Sequence, residues 1–141
     1  MFEKNADQRL VLWSEFRKRL ETSTEPIQLA IDYYSYAPMV SIHTDPWDDS
    51  TWPTPWELLQ ENQYCEFCRV LGLCYSLQLT DRFSNTNFEI HIITDSKNSA
   101  TKYLLIVGDS MIVYTNGEAK LTTYIPDYYE VKKKYNMNKS L

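Results

Sequence analysis

Beyond Thr80-Asp81-Arg82 the apolar residues of this chain fall into period two. Phe88-Glu89-Ile90-His91-Ile92-Ile93 forms one such run, and the polar turn DSKNSA follows it. Lys102–Val107 forms a second run, Gly108-Asp109 a turn, and Met111-Ile112-Val113-Tyr114 a third. Asn116-Gly117 then leads into Ala119–Ile125. Side chains on a strand alternate between faces, so each run predicts a strand with a buried side. Asn-Gly suits a two-residue hairpin in which both central residues need positive φ. Connections this short join antiparallel neighbours. The tract therefore predicts a four-stranded antiparallel meander.

Upstream the spacing is helical. Leu10, Trp13, Phe16 and Leu20 recur every three or four residues with charges between them, predicting an amphipathic helix over Asp7–Glu21. Asp7 serves as its N-cap, and Thr22-Ser23-Thr24-Glu25-Pro26 ends it. Ile27, Leu29 and Ile31 alternate with Gln28, Ala30 and Asp32, which predicts a strand. Val40-Ser41-Ile42 reads as a short extended segment. In DPWDDSTWPTPWELL, Thr54 and Glu57 form a capping box, Pro55 fits the first helical position, and Pro53 with Leu58 makes a hydrophobic staple. Trp52 and Trp56 would clamp the start of this helix to the core. One long helix is expected from Pro55 to about Leu79, buried nearly all round after Gly72. The glycine is expected to give clearance to a close neighbour. The expected class is α+β: an N-terminal helix and a long central helix packed on the meander. Residues 1–126 would form one domain, and residues 127–141 a polar, aromatic tail, either a docked helix or an arm ordered by a partner.

Composition narrows function by exclusion. A net charge of −5 opposes nucleic-acid or anionic-membrane binding, since both need a cationic surface. No apolar run approaches the ~18–20 residues that cross a bilayer, and MFEKNADQRL lacks the apolar core of a secretory signal. A cytoplasmic protein is expected, or one assembled there into a larger particle. The chain has only 3 glycines, which leaves no glycine-rich phosphate loop; no cofactor is expected. The 3 cysteines, Cys65, Cys68 and Cys74, are an odd set on one predicted helix and are expected to be reduced.

Cys65-Glu66-Phe67-Cys68 has the CxxC spacing, but redox versions place the first cysteine at a helix N-terminus, where the helix dipole favours the thiolate. A helix starting at Pro55 puts Cys65 well inside, beside Glu66, so small buried fillers are expected instead. Cys65 and Cys68 with His43 and His91 could make a Cys₂His₂ zinc set. Those histidines come from separate segments, and no metal is expected.

WPTPWELLQENQYCEFCRVLGLCYSLQL resembles the nucleophile helix of transglutaminase-like cysteine hydrolases, in which a cysteine opens a core helix and a sheet follows bearing a histidine, then an aspartate. The resemblance implies Cys65 as nucleophile, His91 as base and Asp109 as orienting acid. The chain departs from that family where Gln63-Tyr64 replaces its small Gly-Asp, and where the capping box sets the helix start upstream of Cys65. The same stretch continued through LTDRF, with FEIHIITD and LLIVGDSMIVY, resembles small proteins of contractile-tailed phages of marine and cyanobacterial hosts. That resemblance implies a virion component of tail, neck or baseplate without catalysis. The 11 tyrosines and 4 tryptophans suit such a role, since aromatics anchor interfaces as readily as they fill cores. The leading expectation is a non-enzymatic structural or adaptor protein. It would bind other protein subunits, or copies of itself, through Tyr33, Tyr34, Tyr36, Trp47, Trp52, Tyr128, Tyr129 and Tyr135. The alternative is a cysteine hydrolase using Cys65 and His91.

Overall fold

A computed structural model of the chain describes residues 1–40 and 44–138. The protein is α+β and divides into two compact units, Met1–Asn85 and Thr86–Leu141. Among the described residues the first holds four α-helices and the second a five-stranded sheet. Within the same residues no helix is long and apolar enough to cross a membrane.

In the first unit, α1 spans Ala6–Thr22. Its N-cap is Asn5 rather than Asp7, in a capping box with Gln8: the Gln8 N–H donates to Asn5 Oδ1 at 2.9 Å. Its buried face is Arg9, Trp13, Phe16 and Leu20, while Leu10, expected on that face, is 48% exposed. Arg9 is buried because its guanidinium has acceptors to satisfy it. Nε donates to the Leu59 carbonyl at 2.8 Å and Nη2 to that of Gln60 at 3.0 Å, so Arg9 caps the end of α3 (Pro55–Glu61).

The segment expected as a strand over Ile27–Asp32 is helix α2, Pro26–Tyr34. Pro26 sets the first helical φ. Ala30, Ile31 and Tyr34 give a buried face at helical spacing, and over so short a run the alternation of Ile27, Leu29 and Ile31 fits either period. Tyr34 then packs on α4 (Glu66–Gln78), and its hydroxyl meets Ser76 Oγ at 2.8 Å. The indole Nε1 of Trp13 donates to the same Ser76 oxygen at 2.8 Å, so one hydroxyl joins α1, α2 and α4.

The long central helix is two helices. The capping box of Thr54 and Glu57 and the Pro55 start of α3 are as expected, but α3 stops at Glu61. Asn62 takes a left-handed conformation (φ 53°) as its C-cap, with its side-chain amide donating to the Phe2 carbonyl at 2.7 Å. Tyr64 is then spent on other pairing. Its N–H donates to the Pro38 carbonyl at 3.2 Å, and its carbonyl accepts from the Val40 N–H at 2.9 Å. The chain re-enters helix at Glu66, with Cys65 as N-cap. Of the extended segment expected at Val40-Ser41-Ile42, Ser41 and Ile42 lie outside the described residues, and Met39 makes an isolated bridge to Tyr64. After α4, the Glu21 carboxylate accepts the N–H groups of Asp81 (2.7 Å) and Arg82 (3.0 Å). Arg82 caps α1 through the carbonyls of Leu20 and Ser23.

In the second unit the order is β4-β3-β2-β1-β5, all antiparallel. The first four strands follow the expected meander: β1 Phe88–Asp95, β2 Ala100–Val107, β3 Ser110–Thr115 and β4 Glu118–Thr122. Asn116 (φ 54°) and Gly117 (φ 78°) make the tight turn between β3 and β4. Phe88, Ile90 and Ile92 of β1 share a fully buried face with Leu105 and Ile112. The segment expected as a tail supplies β5, Tyr129–Asn136, paired with β1 across a bulge at Ile92/Ile93. Lys132-Lys133-Lys134 suits this place, because lysines on an edge strand discourage further pairing.

Candidate functional site

The break at Asn62–Tyr64 changes the surroundings of the CxxC spacing. Cys65 is the N-cap of α4 with extended backbone (φ −103°, ψ 179°), and Cys68 is the third helical residue. Unpaired N–H groups and the positive end of the helix dipole therefore converge on Cys65. Its sulfur makes no strict capping hydrogen bond. A sulfur is large and diffuse, however, and N–H groups facing it favour its charged form before ideal geometry is reached.

The Cys65 thiol is held below the ordinary thiol range. The largest cause is a hydrogen bond donated by the Cys68 thiol; burial opposes it, and the N–H groups of Thr44, Cys68 and Phe67 add to it. Cys68 moves upward, first because it keeps the proton that it donates to Cys65 and next because it is buried, while the Thr44 hydroxyl pulls it down. The pair thus loses one proton easily and holds the other. Cys74, deeper in α4 and 0% exposed, is pushed up by burial alone.

The pair is sheltered: Cys65 and Cys68 are each 3% exposed. A strap formed by residues 44–53 runs beside it. Thr44 Oγ1 lies 3.1 Å from Cys68 Sγ. The Trp52 ring sits 4.8 Å from that of Phe67, which stands between the two cysteines. The Tyr75 hydroxyl donates to the Pro53 carbonyl at 2.7 Å. Glu66, expected to oppose a thiolate, is exposed to water at the first turn.

The other chemical candidates lie in the second unit or outside the description. His91 is buried on β1, with Nε2 2.9 Å from Glu89 Oε1. Asp109 is exposed in the turn between β2 and β3. His43 lies outside the described residues, among which no group of three or more His, Cys, Asp or Glu side chains is placed to hold a metal. The expected interface aromatics separate by burial. Tyr34 is 3% exposed and fills the core, and Tyr33 stacks on Phe16 at 3.7 Å. Trp52, Tyr128, Tyr129 and Tyr135 are half-buried, while Tyr36 (80%) and Trp47 (49%) stand in solvent. Trp56, expected to clamp its helix to the core, meets the Trp13 ring edge-on at 5.4 Å but is 54% exposed, and Tyr124, which the sequence did not single out, is also exposed.

Cys65 as the N-cap of α4 removes one departure from the transglutaminase-like pattern, since the cysteine does open a helix. Gln63-Tyr64 remains a departure, and the place of Asp109 in a turn is another. No protein-family model matches the chain, and no curated protein matches it.

Proposed function

We propose that the first unit carries a reactive dithiol that exchanges with disulfides, Cys65 attacking and Cys68 resolving. The observation that carries this reading is the position of Cys65 at the N-cap of α4, with Cys68 one turn on as the third helical residue. The Cys65 thiolate attacks one sulfur of a substrate disulfide; a mixed disulfide forms and one substrate thiolate leaves. Cys68 then gives its proton to solvent and attacks Cys65 Sγ. The second substrate thiolate leaves, and Cys65 and Cys68 are joined. The substrate disulfide gains the two electrons that the dithiol loses. Oxidised glutathione added to the reduced protein should yield a Cys65–Cys68 disulfide, and Cys68→Ser should trap glutathione on Cys65. Failure to form either species would remove the reading. Loss of Cys65 reactivity in His91→Asn would favour acyl transfer instead, the reaction that the cysteine-hydrolase resemblance implies.

A separate reading, as a structural or adaptor subunit of a phage particle, is favoured by a different observation. Tyr36 (80%), Trp47 (49%), Trp56 (54%) and Tyr124 (67%) leave large rings in solvent. Exposed aromatics of this kind anchor protein interfaces. Co-expression with the neighbouring genes should draw the chain into an assembly that Trp47→Ser and Tyr36→Ser weaken. A chain that stays monomeric beside those products would count against it.

A further inference from the structure

Thr44 reaches the dithiol from outside the helix that carries it. Its hydroxyl is 3.1 Å from Cys68 Sγ. The strap that delivers it is braced internally: Trp52 Nε1 donates to the Asp45 carbonyl at 2.9 Å, and Asp45 Oδ1 accepts the Trp47 N–H at 2.9 Å. It is also fastened to α4 by Trp52 on Phe67 and by Tyr75 on the Pro53 carbonyl. Thr44 is thus presented by a folded, anchored loop, and its hydroxyl has a defined sulfur to meet.

We propose that Thr44 is a positioning residue for the dithiol: its O–H donates to Cys68 Sγ and turns the Cys68 S–H toward Cys65. The inference rests on the dithiol reading above. The order of donors follows from capacity. A thiol has one proton: with the Cys68 S–H directed at Cys65, the Thr44 hydroxyl supplies the hydrogen that the Cys68 lone pair accepts. In the resolving step the Cys68 proton passes to solvent, its sulfur attacks Cys65 Sγ, and the bond from Cys65 to the substrate sulfur breaks. Thr44 keeps its proton throughout and stabilises the charge developing on Cys68. It acts through Cys68 and touches no substrate atom.

The test uses the full chain, reduced and then exposed to oxidised glutathione. Acid-quenched samples are divided by mass into mixed disulfide and Cys65–Cys68 disulfide. A hydrogen bond of ordinary net strength corresponds to about fivefold in rate. Thr44→Val should therefore accumulate the mixed disulfide, with resolution slower by about that factor, and raise the pH midpoint of Cys65 alkylation. Thr44→Ser, which keeps the hydroxyl, should restore both. Thr44→Ala replaces the valine variant if the latter melts early. The inference is overturned if a folded hydroxyl-free variant matches wild type in both readouts, or if Thr44→Ser behaves like Thr44→Val. Wild type forming no mixed disulfide at all would instead overturn the dithiol reading, and Thr44's role would fall with it.

Discussion

The ring of Tyr34 occupies the space that a side chain on Gly72 would need: a Cβ built there lies 2.4 Å from Tyr34 Cε1. This close approach sets the packing of α2 on α4 and brings the Tyr34 hydroxyl to Ser76. An alanine in the middle of a helix normally gains about 1 kcal/mol over glycine. Here the ring is held by Ser76 and by Phe16 and Phe2 around it, so it has little room to give. Gly72→Ala should lower stability by about 1–3 kcal/mol, the usual cost of overpacking, read as a fall in the urea midpoint. A rise in that midpoint would show that the ring can move aside.

Asn62 tests the helix break on which the reactive cysteine depends. Its positive φ suits glycine and asparagine and penalises β-branched side chains. Asn62→Gly keeps the left-handed turn and should lose only the hydrogen bond to the Phe2 carbonyl, about 1 kcal/mol. Asn62→Ile should lose that bond and add about 1–3 kcal/mol of backbone strain as well. Had one helix run through this point, isoleucine would be tolerated and glycine would be the harmful change. Asn62→Ile should also slow Cys65 alkylation relative to Cys68, because the N-cap position is built by this turn.

Buried phenols give a pH dependence with a definite sign. Burial raises Tyr33 to about 12, and burial likewise raises Tyr34, Tyr64 and Tyr75. Unfolded tyrosines ionise near pH ~10. Above that point the unfolded chain sheds protons that the native state retains, so stability falls as pH rises. The contribution is fully present below pH ~10 and is lost as pH climbs past the folded values. Urea midpoints should begin to slip above pH ~8.5, where the unfolded thiols of Cys68 and Cys74 ionise, and drop steeply between pH ~10 and ~12, with tyrosinate absorbance rising together with unfolding. Tyrosinate appearing before any loss of structure would contradict this placement of the rings.

The sheet was legible because its signals are local. Period two, Asn116-Gly117 and Gly108-Asp109 act within a few residues, and four strands follow from them. The capping box at Thr54 and the role of Gly72 were legible for the same reason. The elements misread are those decided at a distance. Ile27–Asp32 suits either period, and Tyr34 packing on Gly72 chose the helix. The run from Pro55 to Leu79 looks continuous because no proline interrupts it, yet Pro38 and Val40 take the backbone of Tyr64. Arg9 becomes a core residue only because the carbonyls of Leu59 and Gln60 end nearby. The sequence held one clue to the break: Asn62, a residue that accepts left-handed backbone, stands just before Gln63-Tyr64. Thr44 gave no local signal, since its importance comes from a sulfur 24 positions away.

The most direct measurement is the alkylation rate of each cysteine in the folded, reduced protein as a function of pH, mapped by peptide mass. Both sulfurs of the pair are equally buried, so their ratio reports intrinsic reactivity. Cys65 should label first, with a midpoint below the ordinary thiol value of about 8.5; Cys68 should follow far behind, and Cys74 should label only on unfolding. Slow and equal labelling of all three, with no midpoint below that of a free thiol, would contradict a thiolate at the start of α4.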